Sequence, residues 1–138
     1  MKDQSCIFCK IANGEIPSAK VYEDEQFSVI LDMGPASKGH ALILPKEHFK
    51  DVCDLDAAYA AKVLKLGAKI GSAMKKGLGA TGFNLVQNNG QSAGQTVFHF
   101  HMHVIPRYDD QAPIVTWTPG SAEPEELQET AKQIRECL

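Results

Sequence analysis

Three histidines alternate with apolar residues near the middle of the C-terminal half of the chain, in the stretch Phe98–Ile105. In a β-strand alternate side chains share a face, so this stretch would place His99, His101 and His103 together. A helix would instead scatter the three imidazoles around its axis. We therefore interpret the stretch as a strand with a histidine row on one face. The opposite, core-facing side would carry Phe98, Phe100, Met102 and Val104.

Two kinds of chemistry use such a histidine row. Imidazoles on one strand face can chelate zinc or iron, or one neutral histidine can act as a nucleophile while its neighbours donate hydrogen bonds to phosphate oxygens. The preceding loop, Asn88–Thr96, is rich in glycine, amide and hydroxyl groups. Its backbone N–H groups could hold an anion, which favours phosphoryl or nucleotidyl transfer. Close histidines also depress one another's pKa and should titrate as a coupled unit.

The rest of the chain predicts an α+β domain with a mostly antiparallel sheet, because hairpins and one main helix occur without βαβ alternation. An N-cap at Asp54 begins the main helix, whose core stripe is Tyr59, Val63, Leu66, Ile70 and Met74. A helical turn or two is expected at Cys6–Ala12, and a helix or tail at Glu125–Leu138. The expected strands are Lys20–Glu23, Phe27–Leu31, His40–Leu44 (stopped by Pro45), Phe83–Asn88 and Val97–Arg107.

Composition narrows the class of protein. The 138 residues predict one domain, 1–138, with a core at 5–108 and a C-terminal loop and tail at 109–138. A net charge of −3 argues against a nucleic-acid or anionic-membrane partner. Neither a signal peptide nor an apolar run of membrane-spanning length is found, so we expect a cytoplasmic protein whose thiols stay reduced.

The sequence resembles the histidine triad (HIT) family, whose signature is His-φ-His-φ-His-φ-φ with φ apolar. Residues His99–Ile105 match it at every position. The likeness begins at Cys6-Ile7-Phe8-Cys9-Lys10-Ile11 and continues to about Arg107. It includes Lys38-Gly39-His40, Pro45-Lys46-x-His48 and Gly94-Gln95-Thr96-Val97, and it is greatest to the Hint-like branch, the purine nucleoside phosphoramidase group.

The resemblance implies a five-stranded sheet that pairs with a second copy into a ten-stranded one, and cleavage of purine nucleotides at the α-phosphorus without a catalytic metal. His101 matches the nucleophile, which forms a nucleotidyl-histidine intermediate that water resolves. The other matching catalytic positions are His103 and Thr96, with His40 behind the triad. Matching positions for nucleotide binding are Asp32 for the ribose, the base slot Phe8, Ile11, Ile30 and Leu42, and, beside the phosphate, Asn88, Gln95, Thr96, Val97, His101 and His103.

Several bacterial members of this family, and the related galactose-1-phosphate uridylyltransferases, also carry a structural zinc. The pair Cys6-x-x-Cys9 could be completed by His48 and His99, the matching positions, to give a closed Cys₂His₂ site. The alternatives are that the two cysteines pack as small apolar residues, or that they form a redox pair, for which the surrounding thioredoxin-like pattern is missing. Cys53 and Cys137 have no obvious partner.

Three functions follow from the resemblance. The first is hydrolysis of adenosine 5′-phosphoramidate-type bonds through His101; the others are hydrolysis of dinucleoside polyphosphates, and a nucleotide- or partner-binding regulator with incidental turnover. The segment Trp117-Thr118-Pro119-Gly120 resembles a family segment that reaches towards the partner's site. Because Asp109–Val115 is inserted before it, plain packing of Trp117 is an equal alternative.

Overall fold

A computed structural model describes all residues, 1–138. It confirms the α+β class: a five-stranded antiparallel sheet, one long helix and a short N-terminal helix. No helix is both long and apolar enough to cross a membrane. The elements in chain order are α1 (Ile7–Ala12), β1 (Lys20–Glu23), β2 (Phe27–Leu31), β3 (Ala41–Pro45), α2 (Ala57–Leu78), β4 (Gly82–Val86), β5 (Met102–Arg107) and α3 (Pro124–Arg135), with a 3-10 turn at Gln91–Ala93.

The strand order is β1-β2-β3-β5-β4, so β5 lies inside the sheet between β3 and β4. Leu42 and Val86 are the partners of His103 on its two sides. Helix α2 covers one face of the sheet, where its predicted stripe is buried against Phe27, Ile43 and Val104. On the other face α1 covers a smaller apolar cluster. Because Leu42 belongs to that smaller cluster, His103 emerges on the α1 face.

The strand carrying the histidines is shorter than predicted, since only His103 of the three lies within β5. Pro45 ends β3 without offering an N–H to the ladder, and Phe100 N–H donates to the Phe49 carbonyl at 2.6 Å instead. Phe98 is 47% exposed rather than part of the core. The prediction of a strand from Val97 was therefore wrong for its first five residues.

Two other boundaries also differ. The long helix is capped by Asp56, whose carboxylate accepts from Ala58 N at 2.8 Å, whereas the predicted cap, Asp54, accepts from Lys50 N in the preceding turn. β4 ends at Val86, before the amides at 87–89 turn into the loop. Helix α3 contains no buried residue. Pairing of the sheet with a second copy stays a prediction.

The contact between α2 and β4 depends on a helical glycine. A Cβ on Gly71 would come within 2.5 Å of the Phe83 ring, whereas one on Gly77, in the same helix, would meet nothing within 4 Å. We expect Gly71→Ala to lower the free energy of unfolding by about 1–3 kcal/mol through overpacking. Gly77→Ala should raise it by about 0.4–1 kcal/mol through unfolded-state entropy and helix propensity. Urea denaturation of both variants checks this, and equal effects would contradict it.

Candidate active site and metal centre

The three imidazoles of the histidine row lie in three different environments. His99 is fully buried, His101 is 7% exposed, and His103 is half-buried at the start of β5. The rings of His101 and His103 are 5.1 Å apart at their centroids, and Phe8 packs edge-on against His101 at 5.1 Å. The row therefore stays on the α1 face although only one member belongs to the sheet.

His101 is oriented by the backbone of its own segment. Its Nδ1 lies 2.8 Å from the carbonyl oxygen of His99. Because a carbonyl can only accept, the His101 proton resides on Nδ1 and the lone pair on Nε2. The ring is held in the tautomer that a nucleophile attacking through Nε2 requires.

The proton positions on His40 and His103 follow from a second set of hydrogen bonds. Ala36 N–H donates to His40 Nδ1 at 2.9 Å, so the His40 proton is on Nε2. That Nε2–H donates to His103 Nδ1 at 2.8 Å, which places the His103 proton on its own Nε2. The carboxylate of Asp32 lies 3.5 Å from His40 Nε2 on the same side. His103 thus offers an N–H where His101 offers a lone pair.

Electrostatics keep these rings neutral. Burial, together with the neighbouring His101 and His40, lowers the pKa of His103 to about 4 against an opposing effect of Asp32. Burial also lowers the pKa of His40, again partly opposed by Asp32. The hydrogen-bonded chain described above requires unprotonated acceptors on both rings, so the lowered pKa values and the geometry agree.

A cavity of roughly 560 Å³ opens in front of His101 and His103, a size typical of small-ligand sites. Most of the predicted nucleotide-binding residues line it together, although they come from α1, β2 and the residue after it, β3, β5 and the loop before β5. These are Phe8, Ile11, Ile30, Asp32, Leu42, Thr96, Val97, His101 and His103. Most of the lining is apolar, and Asp32, Thr96 and the two histidines supply polar groups.

Two predicted phosphate-side residues do not line this cavity. Gln95 is 2% exposed, and its side-chain amide bonds backbone groups. The amide donates to the Lys50 carbonyl at 2.8 Å and accepts from Gly90 N at 2.8 Å. Asn88 is half-buried beside Gly94. The Gln95 side chain shapes the loop that carries Thr96. A direct phosphate contact by either residue stays a prediction.

The cavity wall also contains residues that the sequence did not suggest. The segment before β1 runs along it because Leu31 N donates to the Ala19 carbonyl at 2.9 Å, which brings 16–19 beside the end of β2. No periodicity marks this irregular segment as part of a site. The additional lining residues are Ile7, Ile16, Pro17, Ser18, Ala19, Leu31 and Met33.

On the other side of the histidine row, Cys6, Cys9, His48 and His99 form one cluster with all four potential ligand atoms within 4.8 Å of one another. His99 Nδ1 lies 3.4 Å from Cys6 Sγ and 3.5 Å from Cys9 Sγ. Zinc bonds of about 2.3 Å to sulfur and 2.0–2.1 Å to nitrogen in a tetrahedron separate such atoms by roughly 3.6 Å. The cluster has the spacing of a four-coordinate metal site.

The groups around this cluster orient its ligands. His99 Nε2–H donates to the Pro45 carbonyl at 3.0 Å, which leaves the Nδ1 lone pair directed at the cysteines. Asp3 N and Cys9 N donate to the two sulfur atoms, each at 3.4 Å. These donors suit thiolates, and no free ligand position remains for a catalytic water. The donor set therefore fits a closed structural site.

Comparison with known proteins agrees with this geometry. A family model described as the HIT domain matches residues 13–110. The adenosine 5′-monophosphoramidase of Schizosaccharomyces pombe is 39% identical over 131 residues, covering 94% of this chain and 96% of the relative. A crystal structure of a HIT family member from Bacillus subtilis has a TM-score of 0.89 at 40% identity, covering 98% of both chains. A zinc-bound histidine triad family protein from Mycobacterium smegmatis has a TM-score of 0.75 at 36% identity, covering 97% of this chain and 98% of its own.

The lowered pKa of His103 predicts a pH effect on stability. Between pH 6.5 and about 4 an unfolded histidine binds a proton that folded His103 does not, so the free energy of unfolding falls as pH falls through this window. His103→Gln should make that fall shallower. Urea midpoints at several pH values, with EDTA in both samples to exclude metal release, measure the slopes. Parallel slopes for the two proteins would contradict the prediction.

Proposed function

This chain belongs to the HIT domain family, and from that premise we propose that it is a nucleotidyl hydrolase that cleaves P–N bonds of adenosine 5′-phosphoramidate type. One observation carries the proposal: the ring of His101 forms part of the cavity wall, and its Nδ1–H is held by the His99 carbonyl. This arrangement presents a neutral nucleophile to a bound phosphorus. The yeast relative's name, adenosine 5′-monophosphoramidase, is consistent with that chemistry.

We assign the nucleotide to the cavity with its base on the apolar α1 side, between Phe8 and Leu42. The Asp32 carboxylate then accepts from the ribose hydroxyls, since each of its oxygens has remaining acceptor capacity after the bond from Gly34 N. The phosphate lies between Thr96 and the two histidines. Apolar walls with a few polar groups at one end are typical of sites that bind a nucleoside monophosphate.

In the first step His101 Nε2 forms a bond to the α-phosphorus, and the P–N bond breaks. The departing nitrogen keeps the electron pair of that bond, takes up a proton from water beside Thr96 and leaves as an amine. Positive charge develops on the His101 ring, and the His99 carbonyl stabilises it through the Nδ1–H bond. His103 Nε2–H donates to a phosphate oxygen as the negative charge on the phosphoryl group shifts.

In the second step water attacks the phosphorus of the nucleotidyl-histidine from the side that the amine has left. The P–N bond to His101 breaks, and the ring returns to its neutral form. One water is consumed overall, with its hydroxyl on the nucleoside monophosphate and its proton balancing the released amine. Because the ring hydrogen bonds are the same at the start and the end, His101 is ready for another turnover.

The Cys6–Cys9–His48–His99 cluster is proposed as a structural zinc site that works through His99. When bound, the metal would fix the His99 ring and link α1 to the segment that enters β5. His99 then contributes its carbonyl to His101, so the same residue connects the metal centre to the nucleophile. The zinc-bound mycobacterial structure supports the choice of metal.

The nucleophile is tested by His101→Ala. Without Nε2 no nucleotidyl intermediate forms, so kcat for an adenosine phosphoramidate should fall by at least about 10³-fold while AMP binding persists. Single-turnover kinetics with an adenosine phosphoramidate and a diadenosine polyphosphate measure this, and His103→Gln, which keeps the nucleophile, provides the comparison. Near-wild-type rates in His101→Ala would refute the assignment.

The same assay separates the competing functions. Turnover of the diadenosine polyphosphate alone would favour the polyphosphate hydrolase. Tight AMP binding with negligible turnover of either compound by the wild-type protein would favour a regulator. Both results would be incompatible with P–N hydrolysis as the activity.

The metal is tested by Cys9→Ser, with the exposed Cys53→Ser as the matched control. We expect about one zinc per wild-type and Cys53→Ser chain, loss of most of it in Cys9→Ser, and a lower Tm for that variant because site binding contributes to folding. Elemental analysis and thermal unfolding give the two readouts. The site would be ruled out if purified wild-type protein contains no zinc and if adding zinc to chelator-treated protein does not raise its Tm.

A further inference from the structure

A second pocket of roughly 490 Å³ lies beyond Thr96 and Val97, outside the nucleotide cavity. The two spaces share Ile7, Thr96 and Val97 in their walls. In the proposed reaction the amine departs beside Thr96. The second pocket is therefore adjacent to the place where the leaving group is released.

Lys50 and Phe98 give this pocket its chemical character. The Lys50 ammonium stands 6.0 Å from the centre of the Phe98 ring, and no carboxylate lies within salt-bridge distance of it. The Phe98 ring is 47% exposed, although the alternation of the strand predicted a core position. An unpaired cation beside an exposed aromatic ring can receive a group that is anionic at one point and apolar at another.

Asp3 is the negative group on the same wall. One of its oxygens accepts from both Ser5 N at 2.8 Å and Ser5 Oγ at 2.6 Å. These bonds hold the carboxylate in place on the pocket wall, where its negative charge opposes an anion. Lys50 and Asp3 thus act on a ligand's charge in opposite senses, and only Lys50 is free to approach it.

Two hydrogen bonds connect the pocket to the catalytic segment. The Lys50 carbonyl accepts from Gln95 Nε2, and the neighbouring Phe49 carbonyl accepts from Phe100 N. Phe98 directly precedes His99. These bonds position the backbone of Lys50 and Phe98 relative to the segment that carries His101, while the exposed Lys50 side chain can extend into the pocket.

We propose that Lys50 and Phe98 form a leaving-group subsite that favours amines bearing a carboxylate and an apolar side chain, as apolar amino acids do. The ammonium pairs with the carboxylate, and the aromatic ring packs against the side chain. This inference rests on the proposed P–N hydrolysis and names the substrate class for it. Lys50 acts on specificity, not on the bond-breaking step.

The test compares two adenosine 5′-phosphoramidates, of phenylalanine and of 2-phenylethylamine, which differ only in the carboxylate. Lys50→Gln should lower the ratio of kcat/KM for the first to that for the second by about fivefold, the effect of one exposed charge pair. Lys50→Glu should lower the ratio further, and Asp3→Asn should raise it. Lys65→Gln, an exposed lysine on α2, should leave it unchanged. High salt should lower the wild-type ratio.

Two outcomes overturn the subsite, and they are distinguishable. If wild type cleaves both compounds and Lys50→Gln changes neither rate, or changes both equally, the subsite is wrong while the proposed function stands. If wild type cleaves neither compound, the proposed function fails and the subsite fails with it. Opposite shifts of the ratio in Lys50→Gln and Asp3→Asn support it, since misfolding would not produce them.

Discussion

The hydrogen bond between the His99 carbonyl and His101 Nδ1 is the interaction on which the site depends. His99 is fully buried, with Nε2–H on the Pro45 carbonyl and Nδ1 facing Cys6 and Cys9. Its ring is therefore held on both sides, which limits where its carbonyl can lie. A nucleophile needs its reacting atom placed to within a fraction of an ångström. Here that precision comes from a neighbour two residues away whose own position is over-determined.

Hydrogen bonds to a fixed backbone group also determine the tautomer of His103. Its proton is placed by His40, and the proton of His40 is placed by the amide of Ala36. A backbone N–H at one end and a backbone carbonyl at the other thus set opposite tautomers on two adjacent rings. One ring presents a lone pair and the next a donor. Because the side chains are identical, the difference comes from their hydrogen-bond partners.

Much of this organisation could be predicted from the sequence. The alternation around His101 placed the row on one face, and the α2 stripe was correct because its period spans most of a long helix. The metal-ligand set and most of the cavity wall could be named only through the family resemblance, since their members are distant in the chain.

The residue at which the histidine strand begins was not predictable, because it depends on the hydrogen bond from Phe100 N to the Phe49 carbonyl. The choice between Asp54 and Asp56 as helix cap likewise depends on a turn at Lys50. The bonds of the Gln95 side chain to Gly90 N and the Lys50 carbonyl were not predictable either, because they also depend on how the loops fold.

Residues 97–101 precede β5 and do not join the sheet, and this explains how one stretch of sequence reaches three different environments. In a regular strand extended to Val97, the ladder would have engaged the backbone of residues 97–101. Because these residues lie outside the ladder, the His99 ring lies in the cysteine cluster, and the His99 carbonyl accepts from His101 instead of from a neighbouring strand. Phe98 is released as well and becomes the exposed wall of the second pocket instead of core. The end of β3–β5 pairing at Ile43 and Met102 thus separates a metal-ligand position, a nucleophile position and a surface contact within four consecutive residues, 98–101.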